Sequence, residues 1–134
     1  MASTNEVCKT ISEKVDDCLA CGVVDLNTGM LMGVHHNVPY FTQAYLDAVA
    51  AAAVELFRGK NVRRVEELLA TQRGEPVKDS FEEMFISSAK VFHFMIAMRD
   101  KSAVVVMVTK KTTNQGMGWA ALRNSISTLK PTLP

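Results

Sequence analysis

The chain has 134 residues, 48% of them apolar, and a formal net charge of +1. That length can bury a core without disulfides or a structural metal, and the composition excludes a disordered protein. With no basic run longer than the pair Lys110-Lys111, nucleic acid is not an expected partner.

In chain order, the start Met-Ala-Ser-Thr-Asn-Glu lacks the basic-then-apolar pattern of a secretory signal. Residues 5–17 read as a helix. Val7, Cys8, Ile11 and Val15 recur at helical spacing, Glu6, Lys9, Glu13 and Lys14 oppose them, and Thr4 or Asn5 can cap the start. Leu19–Asp25 and Met30–His35 read as two strands of a hairpin joined at Asn27-Thr28-Gly29, where glycine supplies a positive φ. Val38-Pro39 breaks the pattern. Phe41–Arg58, rich in Ala and Leu, is the strongest helix, with Thr42 as its cap and Gly59 as its end. Asn61 can cap a further helix, Val62–Thr71, which stops at Gly74 and Pro76.

Three strands follow: Phe81–Ser88, Lys90–Met98 and Ala103–Lys110. Their connections are too short for parallel pairing, so they are antiparallel neighbours. Thr113-Asn114-Gln115-Gly116 then announces a helix, Gln115–Leu129, with Trp119, Leu122, Ile126 and Leu129 as its apolar stripe; Pro131 closes the fold. The last two strands are apolar at both alternations. Phe92, Phe94, Ile96 and Met98 oppose Val91, Met95 and Ala97, while Val104, Val106 and Val108 oppose Ala103, Val105 and Met107. A sheet wet on one side would alternate with polar residues. The expected fold is therefore α+β: three layers, a five-stranded antiparallel sheet with helices on both faces, in the order αββα(α)βββα. No linker, repeat or low-complexity tract divides residues 1–134, so one domain is expected.

The long helix is more apolar than docking requires. At about 100° per residue, Gln43, Asp47, Glu55 and Arg58 share an arc of roughly 120°. Tyr45, Leu46, Ala48, Val49, Ala50, Ala52, Ala53, Leu56 and Phe57 fill a connected arc of roughly 200°, about twice what one sheet face needs. Either the following helix covers the excess, or a second copy of the chain does. The second reading places an interface on Tyr45, Ala48, Val49, Ala52 and Leu56. Met84 and Ile86 join it from Phe81–Ser88, the least apolar of the three strands and a natural sheet edge.

Chemical motifs are weak. Cys18-Leu19-Ala20-Cys21 is a C-x-x-C, but it sits where a helix ends, without the helix N-terminus that activates a redox thiol. Cys8, His35, His36 and His93 complete no usual zinc spacing. The three cysteines read as small buried apolar residues, and with no export signal they are expected as reduced thiols in the cytoplasm. His35-His36 reads as a surface pair and His93 as a buried, hydrogen-bonded histidine. Gly116-Met117-Gly118 lacks the rest of any nucleotide fingerprint, so a tight turn with close packing explains it better than a phosphate loop beside Lys110 and Lys111. No serine-hydrolase or zincin motif is present, and no stretch reaches the roughly 18 apolar residues of a membrane span. Neither a catalytic residue, a cofactor nor a metal is expected.

Three stretches together resemble the Roadblock / dynein light-chain family, which includes bacterial regulators of Ras-like GTPases. They are Cys21–Asp25 with Asn27-Thr28-Gly29 and Met30–Met32; the Ala-rich helix Ala44–Phe57; and Val104–Val108 followed by Thr113–Gly118 and Leu122-Arg123. The resemblance covers most of residues 6–130 and rests on the order of the pieces. It implies a profilin-like sheet between helices, homodimers or heterodimers through the long helix and third strand, and non-catalytic work as a scaffold or regulator of a small GTPase. Lys60–Asp79, with Arg63, Arg64, Glu66 and Glu67, departs from the family by its length and charge. The competing expectation is a small-ligand sensor of profilin, PAS or longin type, with a pocket lined by Met32, His93, Phe94 and Met95.

Overall fold

A computed structural model describes residues 2–134. The first helix, α1 (Thr4–Lys14), starts at Ser3, whose hydroxyl accepts the Glu6 N–H at 3.2 Å. The expected caps, Thr4 and Asn5, lie inside the helix and bond elsewhere. Thr4 donates to Thr132 Oγ1 at 2.9 Å, and Asn5 Oδ1 accepts the Val34 N–H at 2.8 Å. The helix also ends three residues before the expected 17, because Asp17 takes a left-handed φ of 62° and turns the chain into β1 (Cys18–Asp25). Asp25 organises the next turn: its carboxylate accepts from the Asn27 N–H and the Thr28 hydroxyl, and its carbonyl accepts the Gly29 N–H. The chain returns as β2 (Leu31–His36).

Thr42 caps α2 (Gln43–Arg58) by accepting the Tyr45 N–H at 3.2 Å, as its position suggests. α3 (Lys60–Arg73) begins one residue before Asn61, which therefore does not cap it. Gly59 occupies the cap position with no side-chain bond, so the start carries no polar signal in the sequence. Gly74 ends α3, and β3 (Glu83–Ser87), β4 (Val91–Met98) and β5 (Ala103–Lys110) follow. Phe81 and Glu82 lie ahead of β3. Asn114 caps α4 (Gln115–Leu129) through the Met117 N–H at 3.0 Å. Single 3-10 turns occupy Arg99–Lys101 and Lys130–Thr132.

The five strands form one antiparallel sheet in the order β2-β1-β5-β4-β3. β5 is central and buried along its length except at Lys110. On one face Cys21, Val23, Phe94, Met98, Val105 and Met107 pack under α1 and α4. On the other Val24, Met95, Val104, Val106 and Val108 pack under Ala50, Ala53 and Phe57 of α2. Both alternations of β4 and β5 are thus occupied, as their composition requires. Each large apolar side chain withdrawn in this way contributes about 1.5–3 kcal/mol.

α3 lies outside the sheet layers and is tied down by polar contacts. Its buried Glu66 accepts the Ser80 N–H and hydroxyl, both at 2.7 Å. Arg58 forks onto both Asp79 oxygens and also reaches Asn27 and Ser102.

The two edges of the sheet differ. Beside β2, the Asn5 amide oxygen accepts the Val34 N–H, and α1 lies so close that a Cβ at Gly33 would come within 2.5 Å of Thr4 Cγ2. β3 is the other edge, and among the described residues no strand pairs with its outer side. The bonds Ser88 N–H to Val91 and Ala97 N–H to Glu82 fix the ladder's alternation, so the backbone groups of Glu83, Phe85 and Ser87 point away from β4. Among the described residues they meet no partner.

Candidate functional site

α2 buries only a narrow stripe. Ala50, Ala53 and Phe57 face the sheet, and Leu46, Val49 and Val54 flank them half-buried. The opposite stripe stays in solvent: Tyr45 is 41% and Leu56 36% exposed, with Ala48 and Ala52 exposed between them. α3 does not cover this stripe, so the excess of apolar residues is not absorbed by the neighbouring helix. Ala48 and Ala52 leave a flat ledge on which a second helix could approach closely.

Met84 and Ile86 lie on the same side of the sheet. They pair with Met95 and His93, whose side chains point toward the α2 face. α2 spans the β1–β5 end of that face and leaves the β3 end bare. Met84 is accordingly half-buried and Ile86 37% exposed. The bare end also corrects the expectation for His93. It is half-buried, with Nδ1 3.4 Å from the Ile86 carbonyl. All seven expected interface residues therefore share the α2 side of the sheet.

An aromatic group extends this side at the start of α2. Phe41 stacks on Tyr45 at 4.7 Å, takes the edge of Tyr40 at 5.4 Å and lies 5.7 Å from His36. Tyr40 falls in the break after Pro39, and Phe41, expected as the first residue of the long helix, lies ahead of the Thr42 cap, so helical periodicity does not bring the rings together. The clustering of aromatics around the cap Thr42 was the available signal.

The remaining motifs resolve into packing. Cys8, Cys18 and Cys21 are all buried in the core under α1 and α4. Burial raises the Cys18 thiol above its ordinary pKa, against weaker opposition from a Ser12 hydrogen bond. A hydrogen bond with Cys8, then burial, push Cys21 well up. Such thiols stay protonated and are poor nucleophiles. His36 accepts the Val38 N–H, while His35 points to the other face. Among the described residues no cluster of three or more His, Cys, Asp or Glu is placed to hold a metal ion. Gly118 packs directly on a ring: a Cβ there would lie 2.9 Å from Phe94 Cζ. Gly116 and Gly118 lie in the first turn of α4 itself and not in a tight turn ahead of it; of that expectation the close packing is found, at Gly118.

The expected ligand pocket does not form. Met32 and Phe94 lie on the α1–α4 face of the sheet and His93 and Met95 on the α2 face, so the four cannot line one cavity. The apolar cavity between α2 and the sheet holds about 40 Å³, far below the few hundred Å³ that a small-molecule site needs.

No protein-family model matches the chain, and no curated protein matches it in sequence. Solved structures do match its shape. A Roadblock/LC7 domain from Streptomyces avermitilis superposes with a TM-score of 0.70 at 12% identity, over 97% of each chain. This is the Roadblock/LC7 fold. Myxococcus xanthus MglB matches at a TM-score of 0.69 and 19% identity, over 95% of this chain and 85% of that one. The gliding protein MglB of Thermus thermophilus matches at 0.72 and 15%, over 97% and 87%. Within the Roadblock/LC7 fold this chain keeps the hairpin, the Ala-rich α2 and the Asn-capped α4 where its sequence suggests them. No helix is long and apolar enough to cross a membrane.

Proposed function

We propose that the chain is a homodimeric, non-catalytic interaction module that scaffolds or regulates a small Ras-like GTPase. The observation that carries this is the meeting of two unfinished surfaces on one side of the sheet. One is the exposed stripe Tyr45, Ala48, Ala52 and Leu56 of α2, with half-buried Val49 beside it; the other is the open β3 edge with Met84 and Ile86. A two-fold axis near β3 lets β3 pair with its own copy and lets the two α2 stripes cover each other. One operation thereby removes a bare strand edge and an apolar stripe. The partner class rests on the Roadblock/LC7 fold and on the likeness to MglB. Buried, protonated thiols and dispersed histidines support a binding role over a catalytic one.

Light scattering at tens of micromolar tests the assembly. Twice the chain mass is expected, and Ile86→Lys or Ala52→Glu should return a folded monomer. A wild-type monomer overturns the dimer. Co-purification with a Ras-like GTPase of the same organism, or a change in its nucleotide exchange or hydrolysis, tests the partner. Failure to bind any such GTPase overturns that part alone.

A further inference from the structure

α3 is the segment that the proposed dimer leaves unused, and its outer surface is divided by chemistry. At about 100° per residue, Lys60, Arg63, Arg64 and Glu67 occupy an arc of about 100°. Asn61, Val65, Leu68 and Gln72 occupy an adjoining uncharged arc of about 60°. All eight are exposed, Val65 by 45% and Leu68 by 49%. The inward arc, with Val62, Glu66, Leu69 and Ala70, holds the helix to the body, so the outer residues are not needed to fix it in place.

The cations also work against the helix that carries them. Lys60 and Arg63 sit in its first turns, where the peptide dipoles favour negative charge, and the first turn carries no acid. Neither has a carboxylate within 4.0 Å among the described residues, and Arg64 has only a 3.6 Å contact to Glu67 between two well-exposed side chains. Arg63 is nevertheless held: its Nε–H donates to the Arg58 carbonyl at 3.0 Å. That bond fixes the guanidinium plane and leaves its outer nitrogens free beside an open depression of about 540 Å³ that Lys60, Arg64 and Glu67 also line. A guanidinium held at one nitrogen is prepared for a carboxylate at the others.

We infer that the outer face of α3 docks an acidic, amphipathic segment of a protein partner, with carboxylates on Arg63, Lys60 and Arg64 and an apolar side chain on Val65 and Leu68. Charge complementarity selects this occupant. Glu67 lies among the cations and disfavours a densely charged phosphate, whereas single carboxylates spaced along a helix can avoid it. The surface lies on a different element from the α2–β3 face, so the inference stands whether or not the GTPase reading does.

The test uses the full chain, isotope-labelled, and two synthetic helical peptides. One carries Leu at every third or fourth position with Glu between; the other has Lys in place of each Glu. The acidic peptide should shift amide signals within Lys60–Gln72, and the basic peptide should not. Lys60→Glu/Arg64→Glu, which touches none of the bonds that hold α3, should weaken binding about tenfold or more. Ile86→Lys should leave it unchanged. Shifts spread over the surface, equal binding by the double variant, or equal shifts from inorganic phosphate or anionic lipid vesicles would overturn the inference.

Discussion

Two residues show how tightly local chemistry is set. Gly118 opens α4 against the ring of Phe94, 2.9 Å from where a Cβ would stand. Gly118→Ala should cost about 1–3 kcal/mol by overpacking, despite the better helix propensity of alanine, and urea denaturation will measure it. Glu83 on β3 is held by Arg123 of α4 through a two-pronged pair at 2.7 and 2.9 Å. That hydrogen bond lowers the Glu83 pKa below the ordinary carboxylate value. A depressed acid stabilises the fold above its unfolded pKa, and the contribution is lost as pH falls through the folded one. Arg123→Gln should therefore lower the melting temperature at neutral pH and converge with wild type in acid. A constant difference across the titration would contradict this.

At the scale of elements, α3 and the chain after it depend on polar ties. Glu66 satisfies the Ser80 N–H and hydroxyl, and Arg58 joins the end of α2 to Asp79, Asn27 and Ser102. Glu66→Ala should cost about 1–3 kcal/mol through the orphaned Ser80 donors. It should also raise amide exchange across 60–82 more than in β5. The same elements mark what the sequence could and could not disclose. β5 and α4 begin and end where periodicity and the Asn114 cap place them, because their partners lie in the pattern itself. The starts of α1 and α3 fall ahead of the expected caps: the Ser3 hydroxyl accepts the Glu6 N–H, and Gly59 stands at the α3 start with no side-chain bond. Asn5 looks like a cap but serves β2, and Asn61 looks like a cap while an ordinary-looking Gly59 turns the corner. The α2 stripe was legible as an excess of apolar residues. His93 was not legible, since its exposure depends on how far α2 reaches across the sheet.

For the whole molecule, the balance of covered and bare surface sets the behaviour. Two helices cover one face of the sheet, and one helix covers part of the other. A dimer that completes the second face ties folding to association, so stability should depend on protein concentration. The melting temperature of the wild type should rise as protein is raised from micromolar to hundreds of micromolar, while that of Ile86→Lys should stay constant. Calorimetry over that range checks both.

The unequal sheet edges bear on the same question in the language of polymer chemistry. A sheet with two free edges is a bifunctional monomer and grows without limit. With Asn5 bonded to Val34 and α1 pressed on Gly33, the β2 edge of this sheet is obstructed where the β3 edge is open. The proposed pairing of β3 with its own copy would use up the open edge, so growth by that route would stop at two chains.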